Sequence, residues 1–184
     1  MTKRLLTTLL IIPTLLIAEP QLATITAIED GDTVIVDGLQ QNGLRLQLLG
    51  IDAPEDSNNA KLLSDSKRMG VATTDLIPLG SSATAHLKTL LKLGDQVSVE
   101  ADPSGIDRYG RLPASVFRHG DTLSLNEMMV RDGYAILLTK PPLEVIHKPF
   151  AKRLQQLQNE AVAAPRGLWQ TQPQLTKAWA ELTP

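Results

Sequence analysis

The stretch LATITAIEDGDTVIVDGLQQNGLRLQLLGIDAPE, residues 22–55, decides the architecture. Ala23, Ile25 and Ala27 alternate with Thr24 and Thr26, an Asp30-Gly31 turn signal follows, and 33–36 is a β-branched run. That order predicts a strand, a tight turn and a second strand. Asp37-Gly38 and Asn42-Gly43 bracket the next connection, and 44–51 reads as a third strand. Side chains alternate across a strand, so Leu44, Leu46 and Leu48 share one face while Arg45 and Gln47 share the other. The whole is a meander of three antiparallel strands.

Working outward, 56–80 is polar, carries Asn58-Asn59, Gly70 and Pro78, and shows no sustained period. It reads as a long loop with one helical turn at most, and loops of that length in a compact domain tend to be functional. From Ser81 or Ser82 a helix is expected, with Ala83, Leu87, Leu90 and Leu91 on one face and Gly94 beyond its end. Val97 and Val99 mark a fourth strand at 96–101, and 112–117 a fifth. Ser124, with Glu127 three residues on and Leu123 before it, is a complete helix start, and Gly133 is the stop. Pro149 opens a last helix in which Phe150, Leu154, Leu157 and Ala161 recur until Pro165. The fold class expected is α+β with a mainly β core, a five-stranded OB-type barrel carrying about three packed helices.

Toward the amino terminus, Lys3 and Arg4 precede an apolar run from Leu5 to Ile17, with Ala18 ahead of a candidate cleavage point. This is the layout of a signal peptide over 1–18, and retention as an uncleaved anchor is the alternative. Residues 19–184 are then one domain, its core about 22–169 and 170–184 a short tail. The chain contains no cysteine, which excludes disulfides, thiolate metal sites and cysteine nucleophiles. The formal charge of −2 becomes −4 without Lys3 and Arg4. An acidic protein does not hold polyanions by bulk attraction, so contacts with nucleic acid require local cations or a metal.

Three segments carry chemistry: Asp30-Gly31-Asp32-Thr33, Gly50-Ile51-Asp52-Ala53-Pro54-Glu55 and Asp107-Arg108-Tyr109-Gly110-Arg111. Each falls at a strand end, on loops that a five-stranded barrel can bring to one rim. Hard cations such as calcium take oxygen ligands, which Asp32, Asp52 and the Ala53 carbonyl can supply. Glu55 is the candidate general base for a water, and Arg111 can donate a bidentate pair to a phosphate. His86, His119 and His147 show no metal-like spacing.

In this order the three segments resemble the motifs of the staphylococcal nuclease family, and the likeness runs from about Leu22 to Trp169. The resemblance implies an OB barrel and calcium-dependent hydrolysis of DNA and RNA phosphodiesters on the 5′-oxygen side, leaving 3′-phosphates. It makes Asp32 and Asp52 the metal carboxylates, Ala53 the carbonyl donor, Glu55 the catalytic glutamate, Arg111 the second catalytic arginine and Tyr109 a neighbour of the nucleotide phosphate. It also exposes a departure: the family's first catalytic arginine stands five residues before the metal aspartate, and here that residue is Gln47. Arg45 lies on the same face roughly 7 Å along the strand and is the substitute candidate. Gln47 itself can hydrogen-bond a phosphate without adding charge. The expected protein is therefore a periplasmic or secreted Ca2+-dependent nuclease, slowed by Gln47, monomeric, without stable membrane association, and favouring single-stranded nucleic acid. A catalytically weak or inactive nucleic-acid-binding OB-fold protein is the alternative.

Overall fold

The computed structural model describes residues 20–138 and 148–182. The signal-peptide stretch 1–18, His147 and the last two residues of the expected tail lie outside them. The barrel strands are β1 (Gln21–Ile28), β2 (Thr33–Asp37), β3 (Leu44–Leu48), β5 (Gln96–Ala101) and β6 (Arg111–Arg118), closed in the order β1-β2-β3-β6-β5. All neighbours are antiparallel except β3 and β6, which run parallel with Arg45 opposite Arg111. Closure leaves no free edge. The alternation read from the sequence is the cause of the core: Val34, Val36, Leu46 and Leu48 point inward and are completely buried, each contributing about 1.5–3 kcal/mol by leaving water.

The expected third strand is cut in two. Gly50 adopts φ +81°, a left-handed conformation open to glycine, and Ile51–Asp52 leaves the barrel as β4, pairing with β7 (Ile136–Leu137). Where β3 and β6 part, the buried side chain of Asn126 fills the gap. Its Nδ2 donates to the carbonyls of Leu49 and Ala114, each at 3.0 Å, and its Oδ1 accepts from Val116 N at 3.2 Å.

Six helices are present among the described residues, against the three expected. The stretch 56–80 is the main correction: it holds α1 (Ala60–Met69), and α2 (Thr73–Leu90) begins well before Ser81. Asn59 caps α1 by accepting from Leu62 N at 2.9 Å, and Gly70 ends it at φ +68°. Only Leu62 and Asp65 of α1 are buried, so no apolar stripe announces it. Pro78 is tolerated six residues into α2, where it costs one backbone hydrogen bond. Helix α3 (Leu125–Arg131) has the Ser124–Glu127 capping box, and α4 (Lys148–Ala163) buries Leu154, Leu157 and Ala161. The expected tail is helical: α5 (Leu168–Thr171) straddles its start, with Leu168 and Trp169 still in the expected core, and α6 (Pro173–Leu182) follows with Trp179 buried. His86 of α2 lies 3.0 Å from Asp132 Oδ2 and stacks on Tyr134, which gives it a structural role.

Candidate active site

The Asp30-Gly31-Asp32 turn, β4 and the loop after it meet over the middle of α2. Small residues on α2 make that approach possible. A Cβ on Gly31 would come within 2.8 Å of both Ala53 Cβ and Ala83 Cβ, and one on Gly80 would lie 2.2 Å from the Glu55 carbonyl. Thr84 Oγ1 donates to Asp56 Oδ2 at 2.7 Å and pins the same loop.

Asp32 and Asp52 are both buried. Asp32 Oδ2 accepts from Ala53 N at 2.8 Å and Oδ1 from Thr33 Oγ1 at 3.0 Å, while the Asp32 carbonyl accepts from Leu48 N at 2.8 Å. Asp30 Oδ1 accepts from Asp32 N at 3.1 Å. Burial, then the charge of Asp32, pushes the Asp30 carboxyl up to about 7. Burial and the charge of Asp52 raise Asp32 to about 6; burial raises Asp52 to about 6 against the pull of the Lys61 ammonium. Acids crowded into a dry pocket resist ionisation unless a cation joins them.

Lys61, on the first turn of α1, supplies one such cation. Its Nζ is 3.2 Å from Asp52 Oδ2, 3.3 Å from Glu55 Oε1 and 3.3 Å from Asp65 Oδ2. Burial works against its charge, yet Asp52, Glu55 and Asp65 together hold the ammonium far above the usual lysine range. Glu55 also accepts from Asn59 Nδ2. The second Asp65 oxygen pairs with Arg68, which in turn donates to the Leu182 carbonyl at 2.9 Å.

The donor set suits a hard cation. Every candidate ligand is oxygen, and the buried Asp52 Oδ2 is met by the Lys61 ammonium at 3.2 Å. Among the described residues no three acidic or histidine side chains form a closed metal cage. An ion here would rest on Asp32 and Asp52 and take its remaining oxygens from main chain, water or substrate.

The basic side of the site is built by β3 and β6. Asp107 Oδ1 accepts from the amides of Tyr109 and Arg111 at 2.8 and 2.9 Å, closing the turn in which Gly110 has φ +74°. Its Oδ2 takes Arg111 Nε and Nη2, both at 2.9 Å. Although burial opposes it, the Arg111 and Tyr109 bonds keep the Asp107 carboxyl below its usual range. Tyr109 is exposed, with the Arg108 and Arg111 guanidiniums 4.8 and 5.2 Å from its ring centroid. Arg45 donates through Nε to Glu29 at 2.7 Å and through Nη1 to the Tyr109 carbonyl at 3.2 Å. Gln47, opposite Thr33 on β2, has Oε1 buried without a hydrogen bond. The two sides meet electrostatically at Asp30, whose charge acts on Arg45 while Glu55 acts on it.

Asp32, Asp52, Ala53 and Glu55 thus gather where the 30–32 turn meets β4, while Arg45 and Gln47 lie along β3 with Tyr109 and Arg111 beside Arg45. Asp30, Gly80, Thr84 and Lys61 join them. Asp30 was legible as half of the Asp-Gly-Asp turn; nothing in the local sequence marks the other three, which only the docking of α1 and α2 brings in.

Comparison with known proteins agrees with this geometry. A sequence model described as Staphylococcal nuclease homologue matches residues 45–171, so β1, β2, Asp30 and Asp32 enter the site from ahead of the matched span. Endonuclease YhcR of Bacillus subtilis (strain 168) is 28% identical over 106 residues, 58% of this chain and 8% of that protein. The chain therefore aligns with a small part of that relative's length. With more than half of its residues matched and a closed five-stranded barrel, the chain belongs to the staphylococcal nuclease homologue family.

Proposed function

We propose that the protein is an exported, calcium-dependent nuclease that hydrolyses phosphodiester bonds of DNA or RNA on the 5′-oxygen side and releases 3′-phosphate ends. The observation that carries this reading is the gathering of buried Asp32 and Asp52 with Glu55, next to a strand pair, β3 and β6, that sets Arg45 beside Arg111. Asp32, Asp52 and the Ala53 carbonyl would hold the calcium, which when bound would supply neutralising charge and Lewis-acid chemistry beside the phosphate. Glu55, its carboxylate oriented by Asn59, takes the proton of the attacking water. Arg111, oriented by Asp107, directs its outer N–H groups at the phosphate and stabilises the charge that grows on it. Tyr109 offers an exposed aromatic face to the nucleotide, which suits single strands better than a closed duplex. The basic start and apolar run at 3–17 support export to the periplasm or medium, with a monomer released from the membrane.

Arg45 takes a different role from the one its type invites. Glu29 and the Tyr109 carbonyl engage it, so it positions the 107–111 turn and leaves the phosphate to Arg111. Gln47 then brings no charge, and the enzyme is slow for its family. Release of acid-soluble nucleotides from single-stranded DNA, with calcium and with a chelator, tests the reading; equal release in both, or none in either, would defeat it. In the same assay Gln47→Arg is expected to raise the rate about tenfold or more, since one charge-assisted donor is worth on the order of 10²–10³. A folded variant with unchanged rate would place the phosphate elsewhere.

Stability should report the metal independently. Asp30, Asp32 and Asp52 hold protons in the folded protein up to about 7, 6 and 6, above their ordinary value of 3.8. Folded pKa values above unfolded ones mean that the native state binds the extra protons, so in chelator the melting temperature should fall as pH rises from about 4 to about 7. Calcium competes with those protons, and its stabilisation should grow over the same window. Calcium stabilisation that is flat with pH would detach it from these carboxylates.

A further inference from the structure

Lys61 occupies the charge position that a metal would need. Its ammonium bridges Asp52 and Glu55 of the pocket to Asp65 of its own helix, with all three contacts between 3.2 and 3.3 Å. The oxygen it approaches on Asp52 is the buried Oδ2. Calcium binds carboxylate oxygen at about 2.3–2.6 Å, so an ion on that oxygen could lie no farther than about 6 Å from the ammonium where it now stands. Two cations this close in a water-poor pocket repel strongly.

The side chain is also built to leave. It is 37% exposed, and a lysine carries a compact charge on a flexible four-carbon stem. Asp65 gives it somewhere to go: this buried carboxylate lies one turn along α1, accepts a hydrogen bond from Lys61 Nζ, and is held from its other side by Arg68. Lys61 can therefore release Asp52 and Glu55 without losing its last partner.

We propose that Lys61 is a resident counter-cation that competes with calcium for the acidic pocket, and that its withdrawal onto Asp65 sets the affinity for metal. The inference rests on the reading of Asp32 and Asp52 as metal ligands. Before loading, Lys61 holds the Asp52 and Glu55 side chains in place; on loading, it frees the Glu55 oxygen for water.

Calorimetric titration of calcium into the full chain, Lys61→Met and Lys61→Arg tests it. Lys61→Met should bind calcium on the order of tenfold more tightly, because the competing charge is gone and the side-chain volume is kept. Lys61→Arg retains the charge and should bind no better than the unaltered chain. Equal or weaker binding by folded Lys61→Met, or tight binding by both variants, would overturn the proposal while leaving the metal site standing. No calcium binding by any of the three would overturn the proposal and the metal site together. Amine acylation of the unaltered chain gives an answer independent of variant folding. Calcium should raise the acylation rate of Lys61 severalfold with exposed Lys177 as the reference, and an unchanged or lower rate would refute withdrawal.

Discussion

Glu55→Gln is expected to lower phosphodiester cleavage by about 10²–10⁴-fold, the usual worth of a positioned general base. The amide keeps the shape of the carboxylate and can still meet Asn59, but it cannot take a proton from water. It also removes one of the three carboxylates around Lys61, which eases the competition for the pocket, so calcium binding should persist or weaken only modestly. The pair of readouts is decisive: a rate within threefold of the unaltered enzyme, with calcium still bound, would show that another group activates the water.

Gly80→Ala is expected to cost about 10²-fold in rate although residue 80 touches no substrate. The added carbon would lie 2.2 Å from the Glu55 carbonyl carbon and oxygen and 2.5 Å from Asp56 N, all backbone atoms with no rotamer to escape into. Ordinary carbon contacts begin near 3.5 Å, so the loop must move by about 1 Å. A displacement of that size at a reacting group is worth roughly 10²-fold. Stability should drop as well, overpacking costing about 1–3 kcal/mol against a gain of up to about 1 kcal/mol in helix propensity. Ser81→Ala, one residue along on an exposed face, is the control, and similar kinetics in the two variants would deny Gly80 its part in placing Glu55.

The strands were legible because burial and alternation coincide: Leu44, Leu46 and Leu48 are all buried and the residues between them are not. The α3 start was legible for a related reason, since Ser124 and Glu127 satisfy each other locally. Helix α1 escaped because one of its two buried residues is Asp65, held by ion pairs instead of an apolar contact. Pro78 misled in the same direction, suggesting a loop where packing of Leu76, Leu79 and Ala83 outweighs one missing hydrogen bond. In the site, acids near turns and the Asp107–Arg111 turn announce themselves by type and spacing. Lys61 is an ordinary residue of a polar stretch until the fold sets it against Asp52. Gln47 was visible only as a departure; the buried, unbonded Oε1 adds that the position has not been rebuilt around the amide.

The end of α6 reaches back to α1. Trp179 lies 5.9 Å, ring centroid to Nζ, from Lys61, and the Leu182 carbonyl holds Arg68. The span shared with the family ends at residue 171, ahead of α6. Part of the wall behind the acidic pocket is therefore furnished from beyond the common nuclease scaffold. Substitutions there can shift Lys61 and Arg68 against the acidic pocket while every barrel strand keeps its register, which separates the adjustable wall of this molecule from its fixed frame.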